Sequence, residues 1–274
     1  MVEKIMPLLL LALIASVLAA CNDQATEAPS LEVPASESTA DPYAELPQAE
    51  RIIALAVEAS KLTELDSAAY TFRFRDKEYG YENLGGQFKY ERWWTDSVSG
   101  DQIRDVLTNI GLQRFTNGTI TTLSAKDSAA YANSVNSVIY FAFMPYPLQD
   151  PAVRAEYLGQ ETIRGEILDK LGITFAAEGG GQDYEDEFRY WFDPSSHQLK
   201  YLAYTEAGNK APRFRQAFNE REEAGIMVRD YHNFHIPKNP PTPVDELAPR
   251  FNEGNLKLLS EIIAEEYRDL SGQK

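Results

Sequence analysis

The sequence predicts an α+β protein built on one large, curved antiparallel sheet. This sheet is an open half-barrel of roughly nine to eleven strands, with a few helices covering or plugging its concave face. Three observations carry this expectation. Aromatic residues recur at period two, as in Tyr70, Phe72 and Phe74 opposite Thr71, Arg73 and Arg75. Turn signals separate these runs at hairpin spacing, and Asn117-Gly118 is the strongest of them. Helical periodicity is confined to a few segments, so the chain does not alternate strand and helix as βαβ units would.

The first helix is expected over residues 50–65, where Ile52, Leu55, Ala56, Ala59 and Leu62 fall at helical spacing. Strands follow around Tyr70–Phe74 and around Phe88 and Tyr90, which alternate with Lys89 and Glu91. A hairpin pairs Leu112–Thr116 with Thr119–Leu123 across Asn117-Gly118. A second helix, Ala129 to Phe143, carries Ala132, Val135, Ile139 and Phe143 on one stripe, with Asn136 and Tyr140 beside it. Pro145-Tyr146-Pro147 stops it. Leu171, Ile173 and Phe175 resume the strand pattern, followed by a Gly179-Gly180-Gly181 loop and by Phe188, Tyr190 and Phe192. Asp193-Pro194-Ser195-Ser196 reads as a turn into Leu199–Tyr204, Phe214–Glu220 and Ile226–His235. The proline-rich stretch 237–243 reads as a stiff connector. A third helix is expected over 254–269 from Leu256, Leu259, Ile262 or Ile263 and Tyr267.

Ahead of this domain, residues 5–20 form an apolar run after Lys4, ending in Ala19-Ala20 before Cys21. This is the layout of a secretory signal, and the run is shorter than the roughly 20 residues a spanning helix prefers. Leu18-Ala19-Ala20-Cys21 resembles the lipobox of bacterial lipoproteins. The resemblance implies cleavage before Cys21 and acylation of its thiol and new amine, with palmitate-type chains as membrane anchor. Several chains at roughly 0.8 kcal/mol per buried methylene give durable attachment where one is marginal. Asn22 rather than Asp after the cysteine resembles the pattern of outer-membrane sorting. Residues 22–50 hold seven acids, four prolines and no Lys or Arg, the composition of a disordered acidic tether. The expected organisation is a signal peptide at 1–20, a lipidated cysteine and tether at 21–49, and a single β-rich domain at 50–274.

The chain of 274 residues carries 42 acidic against 26 basic side chains, a net charge of −16, which argues against nucleic acid as a partner. Its single cysteine excludes an internal disulfide framework and a cysteine-rich metal site. No nucleophile elbow, phosphate loop, zinc-protease helix or dinucleotide fingerprint occurs. His232 and His235, three apart in a strand, point to opposite faces, and His197 sits in a turn, so no metal site is expected. The acidic run Gln182–Glu187 lacks the order of a calcium loop and reads as a hairpin tip. No cofactor is expected. Arg213 and Arg215 share one face of an extended segment. Asp105 and Asp230 could pair with them in a structural network, or the guanidiniums could form an anion site. The 13 Phe, 15 Tyr and 3 Trp either fill the core or leave an apolar pocket whose tyrosine hydroxyls find polar partners.

The run Asn136–Asp150, with Ala152-Val153 and Tyr157-Leu158-Gly159, resembles an uncharacterised family of bacterial lipoproteins found mainly in Bacteroidetes. Phe88–Arg92, Asp105–Asn109, Tyr190-Trp191, Leu202–Tyr204, Arg213–Arg215 and Asp230-Tyr231 extend the resemblance over roughly residues 50–270. That family is similar in predicted architecture to the lipoprotein-sorting carriers, whose curved sheets hold acyl chains on the concave face. The resemblance implies a non-catalytic, lipid-anchored module of the cell envelope, with the outer membrane as its site, binding an apolar or amphiphilic ligand. Tyr70, Phe72, Phe74, Phe88, Tyr90, Tyr140 and Trp191 are the candidate wall residues, and Arg213 and Arg215 the candidate head-group contacts. Two other readings stay open. One is a carboxylate-dependent hydrolase or lyase using Asp105 or Asp230 with an arginine. The other is a surface scaffold for protein contact.

Overall fold

The computed structural model describes residues 41–176, 186–205, 212–237 and 241–272. Helix α1 (Gln48–Ala59) leads into a meander of six strands: β1 (Ala69–Phe74), β2 (Lys77–Leu84), β3 (Gln87–Thr95), β4 (Gln102–Thr108), β5 (Gly111–Thr116) and β6 (Thr119–Thr121). Helix α2 (Ala125–Ala142) follows. A second meander then runs through β7 (Val153–Ile163), β8 (Glu166–Phe175), β9 (Glu187–Phe192), β10 (Leu199–Thr205), β11 (Arg213–Glu223) and β12 (Ile226–His235). Helix α3 (Leu247–Asn252) precedes β13 (Lys257–Ile262) and β14 (Ala264–Asp269).

The strands form two open antiparallel sheets of seven, in the orders β14-β1-β2-β3-β4-β5-β6 and β13-β12-β11-β10-β9-β8-β7. Only Ile263 separates β13 from β14, so one stretch of chain supplies the adjoining edges of both sheets. The α+β class with open antiparallel sheets is as the sequence predicts. The strands number fourteen rather than nine to eleven. β4 and β7 escape the pattern because polar residues interrupt their apolar alternation, as Asp105 does in β4 and Glu161 in β7; β2 offers only two inward rings, Tyr79 and Tyr81.

The helix expected over 254–269 is instead β13 and β14. In β14 the buried residues Ala264 and Tyr267 lie three apart, a helix-like spacing. A bulge produces it: two steps of β1, Thr71 to Arg73, face three steps of β14, Arg268 to Glu265, and Glu266 takes φ 58°. The extra residue resets the strand's alternation. A second bulge opposite Asn233 and Phe234 does the same in β13.

Two cores result. The larger lies in the concavity, where Ile52, Ile53, Ala56 and Val57 of α1 and Ile139 of α2 meet Phe72, Tyr81, Leu171, Tyr190 and Leu202 from both sheets. The smaller lies on the opposite face of the second sheet. There α3 packs Leu247, Ala248 and Phe251 on Trp191, Tyr201 and Phe214. Ridges of aromatic rings join these elements, with Phe214 and Phe251 stacked 4.6 Å apart.

Asp245 pins this outer layer, accepting two bonds at 2.8 Å from Arg189 and pairing with Lys170 at 2.9 Å. The bond from Arg189 holds its carboxyl down at about 2 against the usual 3.8. A carboxyl depressed by folding stabilises above its unfolded value and loses that contribution as pH falls through the folded one. The side chain is 52% exposed, so solvent screens the pair and the effect is small. Asp245→Asn should lower the urea midpoint above about pH 4, and the two proteins should converge toward about pH 2. An offset that stays constant across that window would refute the linkage.

Residues 41–47, read from sequence as the end of the tether, form a turn in which Asp41 accepts from the Tyr43 amide at 2.8 Å and pairs with Arg51. The signal, Cys21, the tether to residue 40, Gly179–Gly181 and the acidic residues 182–185 lie outside the described residues. No described helix is long and apolar enough to cross a membrane.

Candidate functional site

Helix α2 lodges in the concavity and organises the site. Ser124 caps it, its Oγ accepting from the Asp127 amide at 3.1 Å. Of its residues only Val135 and Ile139 are fully buried. Its placement on the first sheet comes from a buried ionic cluster. Asp105 of β4 is fully buried and accepts from Arg92 at 2.5 and 3.1 Å and from Arg114 at 2.6 and 2.9 Å. Arg92 also donates to Ser134 of α2 at 2.8 Å, and the Arg114 guanidinium lies 3.7 Å over the Tyr131 ring. The helix thus spans the concavity by charge and stacking as well as by apolar contact.

A cavity opens along each side of α2. The first, of about 610 Å³, has walls of Phe72 and Phe74 from β1, Val138 and Phe141 from α2, and Phe188 and Tyr204 from the second sheet. Its floor is polar: Arg213 and Arg215 of β11 and Arg229, Tyr231 and Asn233 of β12. With Arg75, four guanidiniums line it against one carboxylate, Asp186, among the described residues, in a chain of net charge −16. Arg215 stacks 3.7 Å over Phe141 and donates to the Tyr204 hydroxyl at 3.0 Å. The second cavity, of about 590 Å³, is lined by Tyr81, Phe88, Tyr90, Tyr140, Tyr146 and Phe175 among others. Both volumes fall within the range of small-molecule sites. Burial raises the tyrosines at and behind the second cavity: Tyr81 is pushed up to about 12, and Tyr140 and Tyr190, hydroxyls 3.2 Å apart, move up as well. These groups stay neutral at physiological pH and serve as hydrogen-bonding surface.

The expected site residues separate accordingly. Phe72, Phe74, Arg213 and Arg215 line the first cavity, and Phe88, Tyr90 and Tyr140 the second. Tyr70 is buried beside Phe143, with ring centroids 5.8 Å apart, and lines neither. Trp191 is not a wall residue. Strand alternation sends it to the outer core, where its indole donates to Glu161 at 3.0 Å. Asp105 and Asp230 do not pair with Arg213 or Arg215. Asp105 belongs to the first sheet's cluster, and Asp230 accepts from Arg221 at 3.1 Å and Asn219 at 2.6 Å. Neither aspartate lines the two cavities described. His232 stacks on Phe218 at 4.0 Å. No group of three or more His, Cys, Asp or Glu positioned for a metal occurs among the described residues.

Sequence reading missed Phe141, Tyr204, Arg229 and Asn233. The alternation Arg229, Tyr231, Asn233 in β12 was the available signal, since it puts all three on the face that Arg213 and Arg215 occupy.

Fold and site together define an open-sheet protein with ligand-sized cavities flanking a helix lodged in its concavity. The chain belongs to the family of unknown function DUF6503, whose model matches residues 91–264. No curated protein matches it. Among solved structures it is similar to a LolA superfamily protein from Nitrosomonas europaea, at 14% identity and TM-score 0.49 over 80% of this chain and 92% of that one. It is also similar to an outer membrane lipoprotein-sorting protein domain from Vibrio parahaemolyticus, at 10% identity and TM-score 0.43 over 82% and 95%. A DUF1329 family protein from Desulfovibrio piger aligns at 12% identity and TM-score 0.39 over 80% and 92%. At these identities and scores the likeness assigns no function.

Proposed function

We propose that the protein is a lipid-anchored module of the cell envelope that binds an apolar or amphiphilic, lipid-like ligand in the concavity of its curved sheets, without catalysing a reaction. The observation that carries this reading is the first cavity: aromatic walls from β1, α2 and the second sheet enclose about 610 Å³ above a floor of buried arginines. An acyl chain suits such walls, because each methylene taken from water contributes about 0.8 kcal/mol. The polar floor suits a head group. The anchor is Cys21, on the strength of Leu18-Ala19-Ala20-Cys21, and Asn22 supports the outer membrane as its destination. The acidic stretch after Cys21 serves as a spacer from the membrane surface.

Purified full-length protein, stripped of lipid, should take up a fluorescent long-chain fatty acid saturably, and an unlabelled fatty acid should displace it. Peptide mass spectrometry of membrane-extracted protein should find Cys21 as the amino-terminal residue with acyl groups attached. No saturable uptake would remove the binding reading, and an unmodified Cys21 would remove the anchor. The two results are independent.

A further inference from the structure

The polar floor of the first cavity has donors and an acceptor that the fold leaves unused. Arg229 is not among the spare groups as a whole. It brackets the fold, donating to the Met144 carbonyl at 2.8 Å and to Ser60 Oγ and Gln198 Oε1 at 3.0 Å each. Arg215 is different. It is 8% exposed, and among the described residues no carboxylate lies within ion-pair distance of it. Its Nη2 donates to the Tyr204 hydroxyl, and its Nε has no hydrogen-bond partner among them. The Tyr231 hydroxyl, in a residue 2% exposed, likewise makes no hydrogen bond of normal geometry among the described residues, although the Arg229 guanidinium lies close to it. Nor does Asn233 Oδ1, in a residue 8% exposed, while Asn233 Nδ2 is turned to Ser260 at 3.3 Å.

These three side chains form one patch. Arg215 and Asn233 are direct cross-strand partners in β11 and β12, and Tyr231 lies two residues along on the same face. All three residues line the cavity, but the three unpartnered atoms are themselves shielded from solvent, so a ligand reaches them only as those side chains turn toward it. A buried polar atom without a partner costs about 1–3 kcal/mol, and a buried guanidinium with no anion costs more. Three such atoms on one cavity floor form a complementary pattern, two donors beside one acceptor. Asp186, the carboxylate in the same lining, has an interaction of its own.

We propose that the ligand's head group is anionic and carries a hydrogen-bond donor of its own, and that it seats on Arg215, Tyr231 and Asn233. Its anionic oxygen receives the Arg215 Nε–H and the Tyr231 O–H. Its hydroxyl or N–H donates to Asn233 Oδ1. The apolar tail then runs along Phe72, Phe141 and Phe188. Two chemistries meet this description: a phosphodiester with a hydroxylated substituent, and an acyl chain amide-linked to an amino acid carboxylate. This inference rests on the binding reading above and names its ligand class.

The test compares amphiphiles of one acyl chain length on the full-length protein, each below its critical micelle concentration. The probes are lysophosphatidylglycerol and N-acylglycine as the two anionic sources, lysophosphatidylcholine as the zwitterion, and monoacylglycerol as the neutral control. At least one anionic probe should bind at least about tenfold more tightly than the zwitterion and the neutral probe, and which one does so identifies the source. Arg215→Met should abolish that preference while monoacylglycerol still binds, and Tyr231→Phe should reduce it severalfold. Should Arg215→Met fail to fold, Tyr231→Phe, which removes one oxygen, decides alone. If monoacylglycerol binds but no anionic probe is preferred, or if the preference survives in Tyr231→Phe and Arg215→Met, the head-group assignment is wrong and the cavity reading stands. If none of the four binds, the cavity reading itself fails.

Discussion

Val138→Trp is expected to abolish ligand uptake while leaving the protein folded. Val138 stands on α2 between the core residues Val135 and Ile139 but is itself only partly buried, on the wall of the first cavity. Larger side chains destabilise where they are forced into close-packed surroundings, typically by about 1–3 kcal/mol. Here an indole has about 610 Å³ of adjoining space to enter. Fatty-acid uptake should fall at least about tenfold, with the unfolding free energy changed by no more than about 1 kcal/mol in urea. Undiminished uptake by a folded variant would move the ligand to the second cavity, across α2, where Tyr90 and Tyr140 lie.

The largest loss of stability is expected from Asp105→Asn. Its carboxylate is fully buried and is the shared acceptor for Arg92 and Arg114. Without it the buried Arg92 and the partly buried Arg114 lose their anion, and breaking a buried pair from one side costs about 3–5 kcal/mol. Because Arg92 and Arg114 also hold Ser134 and Tyr131 of α2, the helix should loosen together with the sheet. Urea unfolding followed by tryptophan fluorescence measures the loss. Replacing all three ionic residues by apolar ones of similar size should be less harmful than the single change. A cost below about 1 kcal/mol for Asp105→Asn would show that the cluster does not hold the concavity in shape.

The α+β class was legible because aromatic alternation in β1 and β9 reports burial directly. The hairpin at Asn117-Gly118 was legible because both residues take positive φ, 51° and 80°. What escaped was set by tertiary partners. Bulges gave Ala264 and Tyr267 a helical spacing inside a strand. Polar interruptions hid β7. The wall residues Phe72 and Phe74 were visible, and so was the pairing of Arg213 with Arg215 on one face. Trp191 was misassigned because an aromatic beside Tyr190 reads the same whether its sheet is covered on one face or two. Only the position of α3, which no local pattern announces, shows that the outer face is a second core. The spare polar atoms of Tyr231 and Asn233 could not be read at all, since they depend on which cross-strand groups remain unpaired.

Photocrosslinking with a diazirine fatty acid locates the bound chain in the fold. Adducts are expected on peptides from β1, α2, β9 and β10, around Phe72, Phe141, Phe188 and Tyr204, and they should be lost when unlabelled ligand competes. Adducts confined to the separate cleft lined by Trp93, Arg104 and Phe115, or labelling that unlabelled ligand does not displace, would contradict that placement.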